Sequence, residues 1–520
     1  MKKIILVRPP RYLWPFINES DNFLLPLGLP CIAASIREKF LEDVEVKIID
    51  CPPLKIGWKT LERMLREEKP DMIGAGEEAL YHHEALRLFG LAKEINPNII
   101  TIAGGHFFSW MLEYGLNNCQ IDIIVRFEGE ETIVKLIESF LNKTDLSVVQ
   151  GIAYRGKGGI VKTPLRPLIE DLDTLPLPAY DLMPMGKYSP FGYLWPQSAT
   201  LEHSRGCVDR CSFCSLWTFW GKHSQADIEK GKLEVAPKYR TKSVERTLEE
   251  IDIVYQRYGR RYIIWADPTF NVDSDWTDRF CEGLLKRNYK DLYWWAFLRA
   301  DFVLKDEKLG ILEKMVQAGL VHPLIGIERS CSDDLKAVNK SVYTRELVKN
   351  VYSIFKEKYP QVFRQGTFIT CLPSDTRDSM LNLVKYAIEI DIDYPAFHPV
   401  APVPGTYLYQ DAKDNDLLEE KDFTKYDWAT PIMRSKNGLS LKELAKLNVE
   451  LNKRYVLCRP HWLIRGLFSR YRHKRGLYRW FFRNTLRMML LELKDVIFRR
   501  QRLQSLTGFM RLRKPYWYDL

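Results

Sequence analysis

The stretch Arg205-Gly206-Cys207-Val208-Asp209-Arg210-Cys211-Ser212-Phe213-Cys214 places three cysteines within eight residues, spaced C-x3-C-x2-C. The remaining seven, at 31, 51, 119, 281, 331, 371 and 458, stand singly. A disulfide framework would show dispersed pairs in a small secreted chain, so this crowding points to a metal site in a reducing compartment. Three thiolates are one short of closing a structural zinc site or of fully ligating a cubane cluster. A [4Fe–4S] cluster held by three cysteines keeps one iron open for a substrate or cosubstrate. Gly206 lets the chain turn tightly before the first ligand. The blander alternatives are a zinc loop with a distant fourth ligand and three unrelated buried thiols. A strand leading straight into the loop favours the open cluster.

Working outward, apolar runs and helical patterns alternate on the C-terminal side. The runs Ala199–His203, Tyr262–Ala266, Tyr293–Phe297, Pro323–Ile327, Gly366–Cys371 and Ala396–Val400 read as strands. Val244, Leu248, Ile251, Val254 and Tyr255 recur at helical spacing, as do Phe280, Leu284 and Leu285 after a cap at Ser274, and Leu381, Val384 and Ile388 after Thr376. Six strand–helix units make an open partial barrel, whose site is expected on the loops after the strands.

On the N-terminal side, Lys3–Val7, Val44–Ile49, Met72–Gly76, Ile99–Ala103 and Asp122–Arg126 read as strands, with helical stretches such as Thr60–Glu68 and Glu84–Glu94 between them. This alternation predicts a doubly wound parallel sheet, which binds ligands at the carboxyl ends of its strands. Gly74, Gly76, Gly104, Gly105 and Gly129 fall at those ends, as ligand-approach or ordinary turn glycines. The expected domains are 1–145 (sheet), 146–195 (a proline-rich linker with a small β element, Gly151–Val161), 196–410 (barrel) and 411–520 (helical, basic).

The 520 residues are 46% hydrophobic and 28% charged, a globular balance with room for about three domains. Mean hydropathy is −0.27, and no apolar run approaches the ~18–20 residues of a membrane span. The opening apolar run stops at Arg8-Pro9-Pro10, too early for a signal peptide. A secreted or polytopic membrane protein is not expected, and the expected location is the cytoplasm. The net charge of +10 is concentrated: between Lys453 and Lys514 there are 18 Lys and Arg against two acids, Glu492 and Asp495. Trp462, Leu463, Phe468, Trp480, Phe481 and Phe482 are interleaved with these cations. Such a region suits a peripheral contact with an anionic membrane face, a nucleic-acid phosphate backbone, or a core with a solvated cationic face. The many large apolar residues favour lipid over RNA, so a nucleic-acid partner is not expected.

C-x3-C-x-aromatic-C after a barrel strand resembles the radical S-adenosylmethionine (SAM) superfamily. Gly326-Ile327-Glu328 with Leu335 and Asn339-Lys340 is similar to its G-x-E-S…L…N-K segment, with Arg329 in place of Ser. Phe368-Ile369-Thr370-Cys371-Leu372-Pro373 resembles its fifth-strand segment, with Cys371 for Gly and Asp375-Thr376 for Glu-Thr. Pro404-Gly405-Thr406 matches the P-G-T after the sixth strand, and Asp267 and Phe270 match a D-x-x-F element of the cobalamin-linked branch. Pro26–Pro30, Gly104-Gly105-His106, Glu128–Thr132 and Asp171–Pro178 resemble recurring segments of that branch. The resemblance implies that Cys207, Cys211 and Cys214 hold the cluster, and that its open iron chelates SAM. It places Phe213 near the adenine. Glu328 and Asp267 become cofactor-binding positions, and Arg299 fits the SAM carboxylate by charge. Gly104, Gly105 and Gly129 would line a cobalamin. The histidine signature D-x-H-x-x-G is absent. His82-His83 lacks its flanking residues and reads as a solvated helix start, so cobalamin is expected without a histidine lower ligand.

The implied function is modification of an unactivated carbon of a hydrophobic molecule, such as a lipid or tetrapyrrole, by methyl transfer, ring formation or coupling. The resemblance is greatest to the branch with anaerobic magnesium-protoporphyrin ester cyclases and hopanoid-modifying enzymes. A reductant such as flavodoxin or ferredoxin is implied. The rivals are a tRNA-modifying radical SAM enzyme and a non-catalytic iron–sulfur or cobalamin-binding module. Cys371 reads as a buried structural thiol.

Overall fold

A computed structural model describes residues 1–11, 24–189, 197–229, 232–340, 342–497 and 517–520. Five parallel strands begin the chain: β1 (Lys2–Arg8), β2 (Val44–Asp50), β3 (Met72–Gly76), β4 (Ile100–Gly104) and β5 (Ile123–Val125). Side chains alternate sides along a strand. Ile4 and Leu6 enter one core with Ala33, Ile36 and Leu136, while Ile5 and Val7 enter another with Leu61, Leu88 and Phe107. Burial on both faces is why these strands read as unbroken apolar runs.

The small β element expected in the linker has a different place. It forms the hairpin β6 (Ile152–Gly156) and β7 (Gly159–Lys162), and β6 pairs antiparallel with β5. The sheet therefore has seven strands, in the order β2-β1-β3-β4-β5-β6-β7. Of the linker, residues 190–195 lie outside the described residues.

The barrel starts with β8 (Ser198–Leu201), followed by two short antiparallel ladders. One pairs β9 (Ser204–Gly206) with β12 (Tyr239–Thr241), the other β10 (Lys222–His223) with β11 (Val235–Ala236). Five more strands follow: β13 (Tyr262–Trp265), β14 (Tyr293–Leu298), β15 (Leu320–Glu328), β16 (Gln365–Thr370) and β17 (Tyr394–Pro399). They join β8 in one parallel sheet, in chain order. All six expected barrel strands are present.

Asp273, not Ser274, caps the helix Ser274–Arg287, accepting from Trp276 N at 3.0 Å. Ser274 instead donates to the buried Asp306. Thr376 caps its helix in a reciprocal box with Ser379.

Three helices, Leu441–Leu457, Pro460–Leu467 and Arg472–Ile497, follow the barrel. Trp462, Leu477 and Tyr478 are buried against the barrel core, so the core reading holds for these residues. Phe468, Phe482, Leu486 and Leu490 are exposed. The tail's residues 498–514 lie outside the described residues. Trp517–Leu520 return to the sheet domain, where Trp58 N donates to Tyr518 O and Thr60 N to Leu520 O.

Candidate active site

The cysteine loop leaves β9 through Gly206, whose φ of +86° is left-handed and where a Cβ would lie 1.8 Å from Lys238 O. No other residue fits there. The loop is held from several directions. Ser212 N donates to Val338 O (3.1 Å), Asn339 Nδ2 to Arg210 O (2.7 Å), Leu408 N to Ser212 O (2.8 Å) and Trp217 Nε1 to Cys211 O (2.9 Å). The N-K segment thus braces the loop directly, and so does the helix Tyr407–Asp414 that follows P-G-T. Cys207 and Cys211 are buried and Cys214 is half-buried. Burial pushes the Cys211 thiol well up and the Cys214 thiol up to about 11. Such thiols need a strong local cation to ionise at neutral pH, which iron supplies. Three sulfur donors on one braced loop fit an iron–sulfur cluster.

Phe213 packs with Val338, Ile369, Leu372 and Val400 at the barrel mouth. Glu328 ends β15 and pairs with Lys340 at 3.1 Å, while Lys340 also donates to Gly326 O at 2.8 Å. Arg299 follows β14. Its guanidinium bridges Asp209 of the cysteine loop and Asp301, which together hold it charged despite burial. Asp267 is fully buried and accepts from Ser204 N and Ser204 Oγ at 2.5 Å and from His203 N at 3.1 Å. It braces the strand that leads into the cysteine loop.

The departures from the family pattern explain one another. Arg329 is buried, and its guanidinium reaches Asp375, Asp334 and Ile369 O. Asp375 is the residue that replaces the usual Glu, so the two substitutions meet as an ion pair. Cys371 has φ +60°, a left-handed backbone at a position where the family has Gly. Its buried thiol faces Leu444 O at 3.9 Å.

The carboxyl edge of the N-terminal sheet faces this loop. Gly105 has φ +82°, and a Cβ there would lie 2.9 Å from Glu77 N. Gly104 is extended, and Gly129 lies against Ile32. His106 stacks on Phe219 with centroids 3.9 Å apart, and Phe127 on His223 at 4.2 Å. Burial pulls the His106 imidazole down to about 4, so it is neutral at pH 7. Gly405 of the barrel seats on Trp110, whose Nε1 is buried with no partner among the described residues. That orphaned donor, in a seam bordered by glycine backbone, fits an amide-rich group such as cobalamin.

His82 corrects an expectation. It does begin the helix His82–Ile95, but it is buried rather than solvated, against Phe107, Tyr114 and Phe423, with Nδ1 2.6 Å from Ala79 O. Sequence reasoning missed Glu77, directly after β3, which burial pushes up to about 7 against the pull of Arg11 at 2.9 Å. It also gave no role to Arg205 and Arg240, which meet Glu128 and Glu130 across the seam. A charged pair of this kind leaves no local periodicity to read.

Residues 14–137 match the B12 binding domain and residues 201–387 the Radical SAM superfamily. An uncharacterized methyltransferase of Pyrococcus horikoshii is 30% identical over 476 residues, which are 90% of this chain and 95% of the relative. The anaerobic magnesium-protoporphyrin IX monomethyl ester cyclase of Rubrivivax gelatinosus is 31% identical over 371 residues, 70% of this chain and 62% of the relative. The solved radical SAM methyltransferase TsrM of Kitasatospora setae, with cobalamin and a [4Fe-4S] cluster bound, has the same fold. Its TM-score is 0.61 at 14% identity, covering 86% of this chain and 82% of that one. With both domain matches and near end-to-end similarity, the chain belongs to the cobalamin-binding radical SAM enzymes, which use a [4Fe–4S] cluster, SAM and cobalamin to act at unactivated carbon.

Proposed function

We propose that this enzyme transfers a methyl group to an unactivated carbon of an apolar small molecule held in the barrel. The observation that carries the reading is the face of β14. Trp294, Ala296 and Leu298 are buried in the helix-side core, which puts Trp295 and Phe297 on the inner face. Both inner residues are half-buried, with rings 4.6 Å apart. The two rings meet edge to face at 66° and offer an apolar corner for a ring system. A porphyrin ester is what the Rubrivivax relative's name gives it to act on, and methyltransferase is the name of the relative matched nearly end to end.

In this reading Cys207, Cys211 and Cys214 hold the cluster, and Phe213 packs against the adenine of SAM. Glu328 and Arg299 take its amine and carboxylate, with Arg299 shared between that carboxylate and Asp209. Asp267 keeps the cysteine loop in register, and Gly104, Gly105 and Gly129 let cobalamin approach backbone. When bound, the cluster with SAM supplies the radical and cobalamin carries the methyl group. The chain's own part is to hold three partners in line and to exclude water. An external reductant supplies the electron, and a flavodoxin or ferredoxin fits that role.

The C-terminal helix adds a peripheral membrane contact at the cytoplasmic face. Phe482, Leu486, Leu490, Leu493 and Ile497 recur at helical spacing, all exposed, in a region of dense positive charge. Among the described residues no helix is long and apolar enough to cross a membrane. The helix springs from beneath the amino ends of the barrel strands, where Lys474 meets Asp393, so this contact anchors the enzyme rather than feeds its site. Sedimentation with vesicles of anionic against zwitterionic lipid checks it, with binding expected for the anionic vesicles.

The test of function is a comparison of apolar extracts from cells with and without the gene, grown on isotopically methyl-labelled methionine. A labelled apolar product that disappears with the gene supports the reading. A precursor that accumulates without the gene, two hydrogens heavier than its ring-closed partner and with the same number of labelled methyl groups, makes the enzyme a cyclase. A change confined to tRNA nucleosides overturns the apolar substrate.

A further inference from the structure

Two arginines lie side by side on the ladder that carries the first cluster ligand. β9 pairs with β12 so that Arg205 faces Arg240 and Gly206 faces Tyr239. Both guanidinium groups cross the seam to the loop Glu128–Glu130, which flanks Gly129. Arg205 Nη1 donates to Glu128 Oε1 (3.1 Å) and Nη2 to Glu130 Oε1 (2.5 Å). Arg240 Nη1 donates to both oxygens of Glu128 (2.9 and 3.0 Å) and to Ile169 O (2.6 Å). Glu128 Oε2 also accepts from Ile169 N at 2.9 Å. Glu202 completes the set on Arg205 (2.8 and 2.9 Å).

The four residues that cross the seam are at most 6% exposed. Salt and water screen them far less than they screen surface pairs. Arg205 is driven further into its charged form by Glu130, Glu202 and Glu128 despite burial. Ion pairs buried this deeply are a poor source of stability, since desolvation offsets most of their attraction. Apolar burial could join two domains as firmly, but it has no direction. The forked guanidinium of Arg205, with carboxylates on both tines, fixes distance and angle, while Arg240 holds Glu128 and Ile169 O through Nη1. Arg205 is two residues from Cys207, and the residue between them is locked against Lys238. A shift of the Glu128–Glu130 loop is therefore passed to the first cluster ligand without slack.

We propose that Arg205 and Arg240 are positioning residues that set the spacing between bound cobalamin and the cluster. The proposal rests on the reading that cobalamin lies at the glycine edge beside Gly129. Pulsed dipolar electron paramagnetic resonance between cob(II)alamin and the reduced cluster, in the full chain loaded with both, reads that spacing directly. The wild type is expected to give one narrow distance distribution. Arg205→Met is expected to keep its iron and cobalamin content but to broaden or shift the distribution. SAM cleavage persists in it while product formed per 5′-deoxyadenosine falls on the order of a hundredfold, the effect of about an ångström of misplacement. Arg205→Lys, with the charge but not the fork, is expected to stay broad, and Arg240→Met to broaden less. Glu130→Gln breaks the pair from the sheet side at nearly constant volume and carries the test if Arg205→Met does not fold. A wild-type distribution in Arg205→Met or, failing that, in Glu130→Gln overturns the proposal alone. A wild-type Co–Fe spacing too long for cobalamin at the glycine edge overturns the placement of cobalamin and the proposal together.

Discussion

The two ends of the barrel use the same chemical groups to different effect. At the carboxyl end, buried charges link loops to one another: Arg329 to Asp375, Lys340 to Glu328, Arg299 to Asp209, Arg205 to Glu130. The backbone there is strained, with Glu328 and Cys371 left-handed. At the amino end, Asp393 at the base of β17 accepts from Arg364 N and Nε and from Tyr478 OH, and pairs with Lys474. Arg459 and Arg465 meet the neighbouring Asp391. Those charges fasten the C-terminal helices to the barrel floor. One end holds a site in an exact shape, and the other holds the molecule together. Conserving a barrel while exchanging the chemistry at its mouth depends on that division.

The sharpest way to break the comparison is to remove one proposed cluster ligand. Cys207→Ser is expected to abolish product formation and the reduced-cluster resonance, with the denaturation midpoint changed far less than the activity. Asp393→Asn is the mirror experiment. It leaves Lys474 buried without a counter-charge and Arg364 with only Asp391 at 3.8 Å, and is expected to cost about 3–5 kcal/mol in denaturant unfolding. Iron content per folded chain should not change. The pH dependence follows from the same group. Although burial opposes it, Arg364 and Lys474 hold the Asp393 carboxyl well below the usual carboxylate range. Its folded value lies below its unfolded one, so its stabilisation is present above pH ~4 and is lost as pH falls below that. In Asp393→Asn that part of the acid sensitivity should vanish.

A smaller effect is expected for Glu328→Gln. Loss of one charge-assisted contact should weaken SAM binding about ten- to a hundredfold, read from the SAM-induced change in the cluster spectrum. Because buried Lys340 keeps Gly326 O but loses its counter-charge, the free energy of unfolding should fall by about 1–3 kcal/mol, short of the Asp393→Asn effect. The smallest is Asp273→Ala, which removes only a helix cap, in the loop after β13 at the carboxyl end. It should cost about 1 kcal/mol of stability and leave SAM binding unaltered. Should Asp393→Asn erase the cluster, or Glu328→Gln unfold the chain, the two ends are not separable in the way described.

Much of the site was legible because its residues are consecutive. The cysteine spacing, the G-x-E and P-G-T segments and the strand runs are local patterns, and local patterns survive in a string of letters. Ser274 was read as a cap one residue late because Asp and Ser both serve there and boundaries blur by a residue. His82 was read as solvated because neighbouring polar letters suggest water, whereas Phe423, more than three hundred residues away, closes over its ring. The hairpin β6–β7 was given to the linker because nothing local says which edge it joins. The tail was read as one region but divides, with Trp462 and Tyr478 buried and Phe468 and Phe482 exposed.

By itself the sequence determined two α/β domains and the cofactor class, and it proposed the cluster ligands. Strand periodicity and ligand spacing are short-range constraints. The tertiary structure alone decided the aromatic corner of Trp295 and Phe297, the pairing of Arg329 with Asp375 and the crossing of Arg205 and Arg240 to Glu128–Glu130. Each depends on which distant segments the folded chain brings within hydrogen-bond reach, and desolvation gives those contacts their strength only once they are buried together.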